Sequence, residues 1–391
     1  MGDTTSPCSS SEEIEDEEDD ESSLYSTPSP PPSDSDSSMS CPPSSSSAGE
    51  PRCSTSLPPP LKVPAEGCFT APVFPTLDIA YPLTWPEFLG VLKSAHDGAP
   101  GPSGITYAML RALPKAVQEA WFSILQRCLH LQELPQSFLL GHICAMPKPG
   151  EASLQNCRPI TLMECTMKLL TGALNKRLMD GLLLHEVFCY LQHGFIPGRC
   201  GTDPVYILKY ALEDARERNV NVYLMLVDLE KAFDSVEPWS LALSYRWAGL
   251  SPASASMLSA LDGAGWARVV TPVGLTSPHR VWRGVRQGET LSPTKFILWL
   301  EPWLRHAYAL YSFHGHTLRG GARLSHQAMC DDLAFLTTTR VGMQCISTSC
   351  WRFLFFHGVT ASSKKTLLAT THPHPGLVTM FSFLRSSSPG L

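Results

Sequence analysis

The chain has no CxxC pair, no run of eighteen apolar residues and almost no positive charge in its first 66 positions. Each absence closes off a class. Without CxxC or knuckle spacing there is no zinc finger of the usual kind. The thirteen cysteines are scattered and odd in number, which indicates reduced thiols in an intracellular protein rather than a disulfide framework. With no long apolar run, no membrane-spanning helix is expected. The acidic, polar N-terminus excludes a secretory signal and argues against a mitochondrial one. Residues 1–66 hold fourteen Asp and Glu against Arg52 and Lys62 alone, a net of −12. The whole chain sums to −6, so the remainder nets +6, a mild excess that suits a polyanionic partner.

What is present divides into a tail and a body. Residues 1–66 are Ser, Pro and acid, and cannot bury enough apolar surface to offset their ordering entropy, so they are expected to be disordered. Order is expected to begin near Thr84, a candidate N-cap with Glu87 three positions on and Phe88, Val91 and Leu92 at helical spacing. Pro114 opens a second helical pattern with Val117, Trp121, Ile124, Leu125, Cys128 and Leu129 on one face. "LLGHICAMPKPG" reads as a strand entering a turn, and "CRPITLMECTMKLL" turns helical after Thr161. "VNVYLMLVDLEKAFDSV" reads as a strand and the start of a helix, and "HRVWRGVRQGETLSP" as a strand and a turn that opens a helix with Ser292 as N-cap and Pro293 at the first position. "SHQAMCDDLAFLTTT" has two apolar arms about an Asp pair and suits a hairpin with the acids at the bend. Strands and helices alternate irregularly, which favours an α+β fold over a doubly wound sheet.

Two acidic sites stand out. Asp228 ends an apolar strand; Asp331 and Asp332 lie in a second strand region about a hundred residues later. If those strands pair, three carboxylates meet at one sheet edge and repel unless a cation neutralises them. Hard oxygen ligands on a rigid sheet suit Mg²⁺. Two such ions about 4 Å apart would clamp the oxygens of an in-line phosphoryl transfer. The same residues have plainer uses: an Asp pair often makes a turn, and Asp228 could cap the helix that follows it.

Taken in order, "GAPGPSGI", "ICAMPKPG", "CRPITLMECTMKLL", "QHGFIPGRCGTDPV", "VDLEKAFDSV", "GVRQGETLSP", "CDDLAFLT" and "ASSKKT" resemble the reverse transcriptases of non-LTR (LINE-type) retrotransposons over roughly residues 85–370. The resemblance implies a right-hand polymerase with an antiparallel palm sheet: fingers and the start of the palm over 67–220, palm over 221–370, and a C-terminal remnant over 371–391 with the thumb largely absent, as in a fragment. It implies an RNA template, a DNA primer, dNTPs, and two Mg²⁺ ions (Mn²⁺ possible) on Asp228, Asp331 and Asp332. A nuclear location follows from how such elements prime on chromosomal DNA.

The resemblance also assigns substrate contacts. Leu229 follows the first metal-binding acid. Phe233 packs under the incoming sugar and excludes a 2′-hydroxyl, or else is an ordinary core ring. Gln287 and Gly288 support base and template; Lys148 and Arg158 hold the triphosphate. Lys364 or Lys365 is the basic position after the catalytic hairpin, and Arg199 reaches a strand phosphate. The chain departs from the family at Cys330 for Ala, Met329 for an aromatic residue, Cys157 for Tyr and Ser103 for Asp.

Overall fold

The structure is a computed structural model that describes residues 74–150, 156–263 and 265–372. The acidic tail and nearly all of 371–391 lie outside the described residues. The described chain opens on an extended strap, ahead of the expected start at Thr84. Leu77 bridges Leu250, its N–H donating to the Gly249 carbonyl and its own carbonyl accepting from Ser251. Leu77, Ile79 and Leu83 are buried. These three fall at even spacing, on one face of an extended segment, but Tyr81 between them is exposed, which breaks the alternation before it can announce a strand.

Helix α1 (Trp85–Ser94) starts where the capping box predicts: Thr84 Oγ1 accepts the Glu87 N–H, and Glu87 Oε2 accepts the Thr84 N–H at 2.9 Å. Helices α2 (Tyr107–Ala112), α3 (Lys115–Leu131) and α4 (Gln136–Leu139) follow. The buried face of α3 is narrower than its spacing predicts. Leu125 and Cys128 are buried, but Val117 and Ile124 are exposed. Both sit about 80–100° round the helix from Leu125, at the edge of the apolar stripe.

The chain continues through β1 (Leu140–Pro147), β2 (Cys157–Met163), α5 (Cys165–Leu184), α6 (Asp203–Glu217), β3 (Tyr223–Val227), α7 (Ala232–Ser235), α8 (Pro238–Trp247) and α9 (Pro252–Gly263). Then come β4 (Trp266–Thr271), β5 (Gly274–Leu275), β6 (His279–Arg280), α10 (Ser292–Tyr311), β7 (His316–Thr317) and β8 (Arg323–Leu324). The last elements are β9 (His326–Met329), β10 (Asp332–Thr337), α11 (Arg340–Phe356) and β11 (Leu367–Thr370). Two boundaries differ from the sequence reading. β2 runs to Met163 because each residue from Cys157 on pairs with β1, which delays the helix to Cys165. Leu291, not Ser292, is the N-cap of α10, and Ser292 is already helical.

One sheet has the order β2-β1-β4-β5, with β6 also on β4. β1 and β2 are antiparallel, β1 and β4 parallel. A second sheet, β11-β3-β10-β9, is antiparallel throughout. One face is covered fully and the other in part. Tyr223, Met225, Val227 and Phe335 join the main core, where Trp303 of α10 packs on Phe335 with ring centroids 5.7 Å apart. Leu224 and Leu336 on the other face meet Ala211 and Ala215 of α6. β3 reads as a near-continuous apolar run, yet on its outer face Leu224 is half-buried and Leu226 exposed. The fold is mixed α and β, as expected. Among the described residues no helix is long and apolar enough to cross a membrane, and no disulfide is formed.

Candidate active site

The second sheet ends in acids. β3 stops at Val227, and the next three residues are clamped by a distant segment. Asp228 O accepts the Ser362 N–H at 2.8 Å, Leu229 bridges Ala361, and Glu230 N–H donates to the Thr360 carbonyl at 2.8 Å. Leu229 is buried. α7 begins only at Ala232, with Lys231 as its N-cap, so Asp228 caps no helix. Its carboxylate is left for something else.

The β9–β10 hairpin closes through Cys330 and Asp331, with Met329 paired to Asp332. The acids sit at the bend, as expected. Cys330 has φ 61°, a conformation in which Gly is usual at the first position of a tight hairpin turn. Leu333 pairs with Val227. Asp228 directly follows Val227 and Asp332 directly precedes Leu333, so the two acids leave that pair at the same end of the sheet. Burial raises the Asp332 pKa above its ordinary value, and the negative charges of Asp331 and Asp228 add to the rise. The three acids thus feel one another.

A cation already answers them. Lys365 Nζ donates to both Asp228 oxygens, at 3.1 and 3.0 Å. Of the two lysines in "SSKKT", Lys365 is the one bonded to the cluster; Lys364 is exposed beside it. Among the described residues no three His, Cys, Asp or Glu side chains stand close enough to hold a metal ion as they lie. The donor chemistry nevertheless fits a hard divalent cation: carboxylate oxygens only, at one sheet edge, with a lysine ammonium drawn to Asp228.

The remaining sequence candidates fall around this edge. Phe233 is half-buried and stacks on Phe296 of α10, with ring centroids 4.8 Å apart and planes 12° apart. Its carbonyl accepts the Val285 N–H at 2.7 Å, which ties the segment after Asp228 to the loop that carries Gln287. That loop lies on β2: the Gln287 carbonyl accepts the Thr161 N–H at 2.7 Å. Gly288, at φ 111°, lies so close that a Cβ there would come within 2.4 Å of the Thr161 carbonyl oxygen. Arg158 is exposed on the same strand, opposite Met146. Lys148 is exposed at the end of β1, and its charge reaches Asp234. Arg199 does something other than expected. Its Nη1 donates to the carbonyls of Cys189 and Gln192, inside its own loop.

Sequence reasoning missed Gln192. It is fully buried, and its Oε1 accepts the N–H groups of Gly194 at 2.8 Å and Cys330 at 3.0 Å. Gly194 is packed so tightly on the turn that a Cβ would meet Cys330 N at 2.6 Å. The "QHGF" string carried a signal, a Gln and a Gly two apart, but nothing in it named the turn as their partner.

Residues 146–383 match the family described as reverse transcriptase (RNA-dependent DNA polymerase). Among curated relatives, the chain is 28% identical over 225 residues to the transposon TX1 uncharacterized 149 kDa protein of Xenopus laevis, covering 57% of this chain and 17% of that one. It is 27% identical over 278 residues to the retrovirus-related Pol polyprotein from the type-2 retrotransposable element R2DM of Drosophila melanogaster, covering 69% and 24%. The chain thus spans a quarter or less of the length of these two relatives. Among solved structures, the apo telomerase of Candida tropicalis truncated from its C-terminal domain superposes with a TM-score of 0.46 at 12% identity, over 69% of this chain and 57% of that one. The match covers more than half of the chain, bears out the resemblance to non-LTR retrotransposon enzymes, and shows that the chain belongs to the reverse transcriptase family.

Proposed function

We propose that the chain is an RNA-directed DNA polymerase domain of a non-LTR retrotransposon, adding a nucleotide from a dNTP to the 3′-hydroxyl of a DNA primer on an RNA template. The observation that supports the reading is the β3–β10 ladder: Val227 pairs with Leu333, Asp228 follows the one and Asp332 precedes the other, and Asp331 is on the adjoining turn. On this reading the antiparallel sheet is the palm floor, within a palm over 221–370. β1 and β2 belong to the fingers and the start of the palm over 67–220, and their sheet is completed by β4, β5 and β6 from the later span.

Asp228, Asp331 and Asp332 would hold Mg²⁺, with Mn²⁺ as a substitute; when bound, such ions activate the attacking hydroxyl and neutralise the leaving group. The chain's own residues do the rest. The clamp of residues 360–362 on 228–230 fixes the height of the Asp228 carboxylate. Lys365, bonded to Asp228, has an ammonium that can give a proton to a departing pyrophosphate. Phe233, braced by Phe296, presents a rigid ring to the sugar. Lys148 and Arg158 approach from the paired strands β1 and β2 and suit a triphosphate, one as a point charge and the other as a planar fork. Gln287 and Gly288, seated on β2, face base and template.

The test is primer extension on poly(rA)/oligo(dT) with Mg²⁺, with wild type beside Asp331→Asn. Extension by the wild type and its loss in the variant, at an unchanged melting temperature, is the expected result. No extension by folded wild-type protein points instead to a relic that binds nucleic acid or a partner. Equal extension by Asp331→Asn means that the carboxylates are misassigned.

A further inference from the structure

A lysine stands where α10 meets the core. Lys295 lies in the first turn of that helix with its side chain 1% exposed. Its Nζ reaches Asp262 Oδ1 of α9 at 2.8 Å and Glu289 Oε1 at 3.2 Å, and both carboxylates are buried. The Tyr245 hydroxyl of α8 donates to the other Asp262 oxygen at 2.8 Å. Arg286 brings a second positive charge to Glu289. Its guanidinium fills the space beside Gly265, where a Cβ would come within 2.5 Å of Nη2. Two acids and two bases therefore balance inside the protein.

A buried, balanced ion cluster is no better for stability than well-packed apolar side chains, and is weak evidence for a purely stabilising role. What this cluster holds is a loop. Arg286 and Glu289 flank Gln287 and Gly288, the two residues placed at the base and template. The outer side of the same four residues rests on β2 through the Thr161–Gln287 hydrogen bond and the close approach of Gly288. The loop is thus gripped from the interior by Lys295 and from the sheet by Thr161.

We infer that Lys295 is a positioning residue. Through Glu289 it sets the height of the Gln287–Gly288 backbone over β2, and so governs how tightly the incoming nucleotide is held. This rests on the polymerase reading for its kinetic consequence, but its structural consequence stands alone.

The test uses the full chain and three variants. Lys295→Arg keeps the charge. Lys295→Met removes it. Lys295→Met with Asp262→Asn removes one charge of each sign, so that Glu289 and Arg286 remain balanced and the fold is kept. Two readouts are taken: KM and kcat for dTTP on poly(rA)/oligo(dT), and amide hydrogen exchange over residues 284–291. Both Met variants are expected to raise the KM for dTTP about tenfold with kcat within about threefold. Exchange over 284–291 should rise about tenfold, with β3 and β10 unchanged. Lys295→Arg should restore both. A double variant with native melting temperature, wild-type KM and wild-type exchange over 284–291 would overturn the inference and leave the cluster a fold support. Wild-type protein that extends no primer would sink the polymerase reading alone, and the exchange measurement would still decide the role of Lys295.

Discussion

Gln192 Oε1 accepts the Cys330 N–H at 3.0 Å, so a side chain 138 positions away in sequence holds the turn that presents Asp331. A non-glycine residue at positive φ costs about 1–3 kcal/mol and persists only where its surroundings over-determine it. Here the over-determination is visible: one carboxamide oxygen serves two backbone donors, and Gly194 fills the remaining space. Strain at a proposed catalytic turn is thereby held by a residue that touches no substrate.

Replacing that residue separates acceptor from shape. Gln192→Leu leaves two buried N–H groups unpaired, at about 1–3 kcal/mol each. Gln192→Glu keeps the acceptor. The Leu variant is expected to be less stable by about 2–4 kcal/mol in urea denaturation and to extend primers more than about tenfold more slowly. The Glu variant should lie between it and wild type. Equal stability of the Leu variant and wild type would mean that the turn is held from elsewhere.

Lys365 offers a second separation. Its bond to Asp228 is partly solvated, with side-chain exposures of 65% and 30%, so its direct worth is about 0–1 kcal/mol. Its larger effect is on the charge balance of the three acids. Lys365→Met is expected to lower the melting temperature by about 1–3 °C in EDTA and to regain the loss in millimolar MgCl₂, as a divalent ion replaces the ammonium. Lys364→Met should show neither effect. The same scan in both buffers checks the pair, and equal behaviour of the two variants would remove Lys365 from the cluster.

The carboxylate edge was legible because its parts are local: an apolar run that ends in Asp228, and two apolar arms about Asp331 and Asp332. The hairpin and the capping box at Thr84 follow from such short-range patterns; the pairing of β3 with β10, about a hundred residues apart, could be stated only as a condition. Partners that exist only after the chain is folded were not legible. "LSPTKFILW" shows Lys295 as an ordinary helical charge; only the approach of α9 supplies Asp262 and makes it interior. Arg199 reads as a free phosphate ligand until its loop closes and its own carbonyls take the guanidinium. Val117 and Ile124 were overcounted for a related reason. A helical stripe says which way a face points, but the width of the buried part is set by the neighbour it meets.

On the proposed reading, Phe233 is the residue that would discriminate against ribonucleotides. Its ring is braced by Phe296 in a parallel stack, so it cannot swing aside cheaply to admit a 2′-hydroxyl. Phe233→Ala is expected to raise the ratio of UTP to dTTP incorporation by about tenfold or more, measured as kcat/KM for each on the same primed template. Because the ring is only half-buried, the variant should lose about 1–3 kcal/mol of stability and remain folded. An unchanged ratio would return Phe233 to the core and favour a polymerase that accepts either sugar.

Glu301 makes the protein's stability depend on pH with a sign that can be checked. Its carboxyl is fully buried in α10, and burial pushes its pKa up to about 7 from 4.5, against the opposing pull of the Cys189 N–H at 2.7 Å and of Arg305. Oε2 has no hydrogen-bond partner among the described residues. The folded chain therefore binds this proton more tightly than the unfolded chain. Its contribution is fully present below about pH 4.5, and is lost as pH rises through about 7. Between pH 5.5 and 8.5 the site alone should cost the wild type about 2 kcal/mol. Glu301→Gln keeps an acceptor for Cys189 and cannot ionise. Its urea-unfolding free energy should match wild type near pH 4 and pull ahead as pH rises, gaining about 2 kcal/mol on it between pH 5.5 and 8.5. Because Cys189 lies in the loop that leads to Gln192, the variant should also keep primer extension further into the alkaline range. Parallel stability curves for the two proteins across that range would show that Glu301 is ionised throughout and that Arg305 alone suffices to hold it.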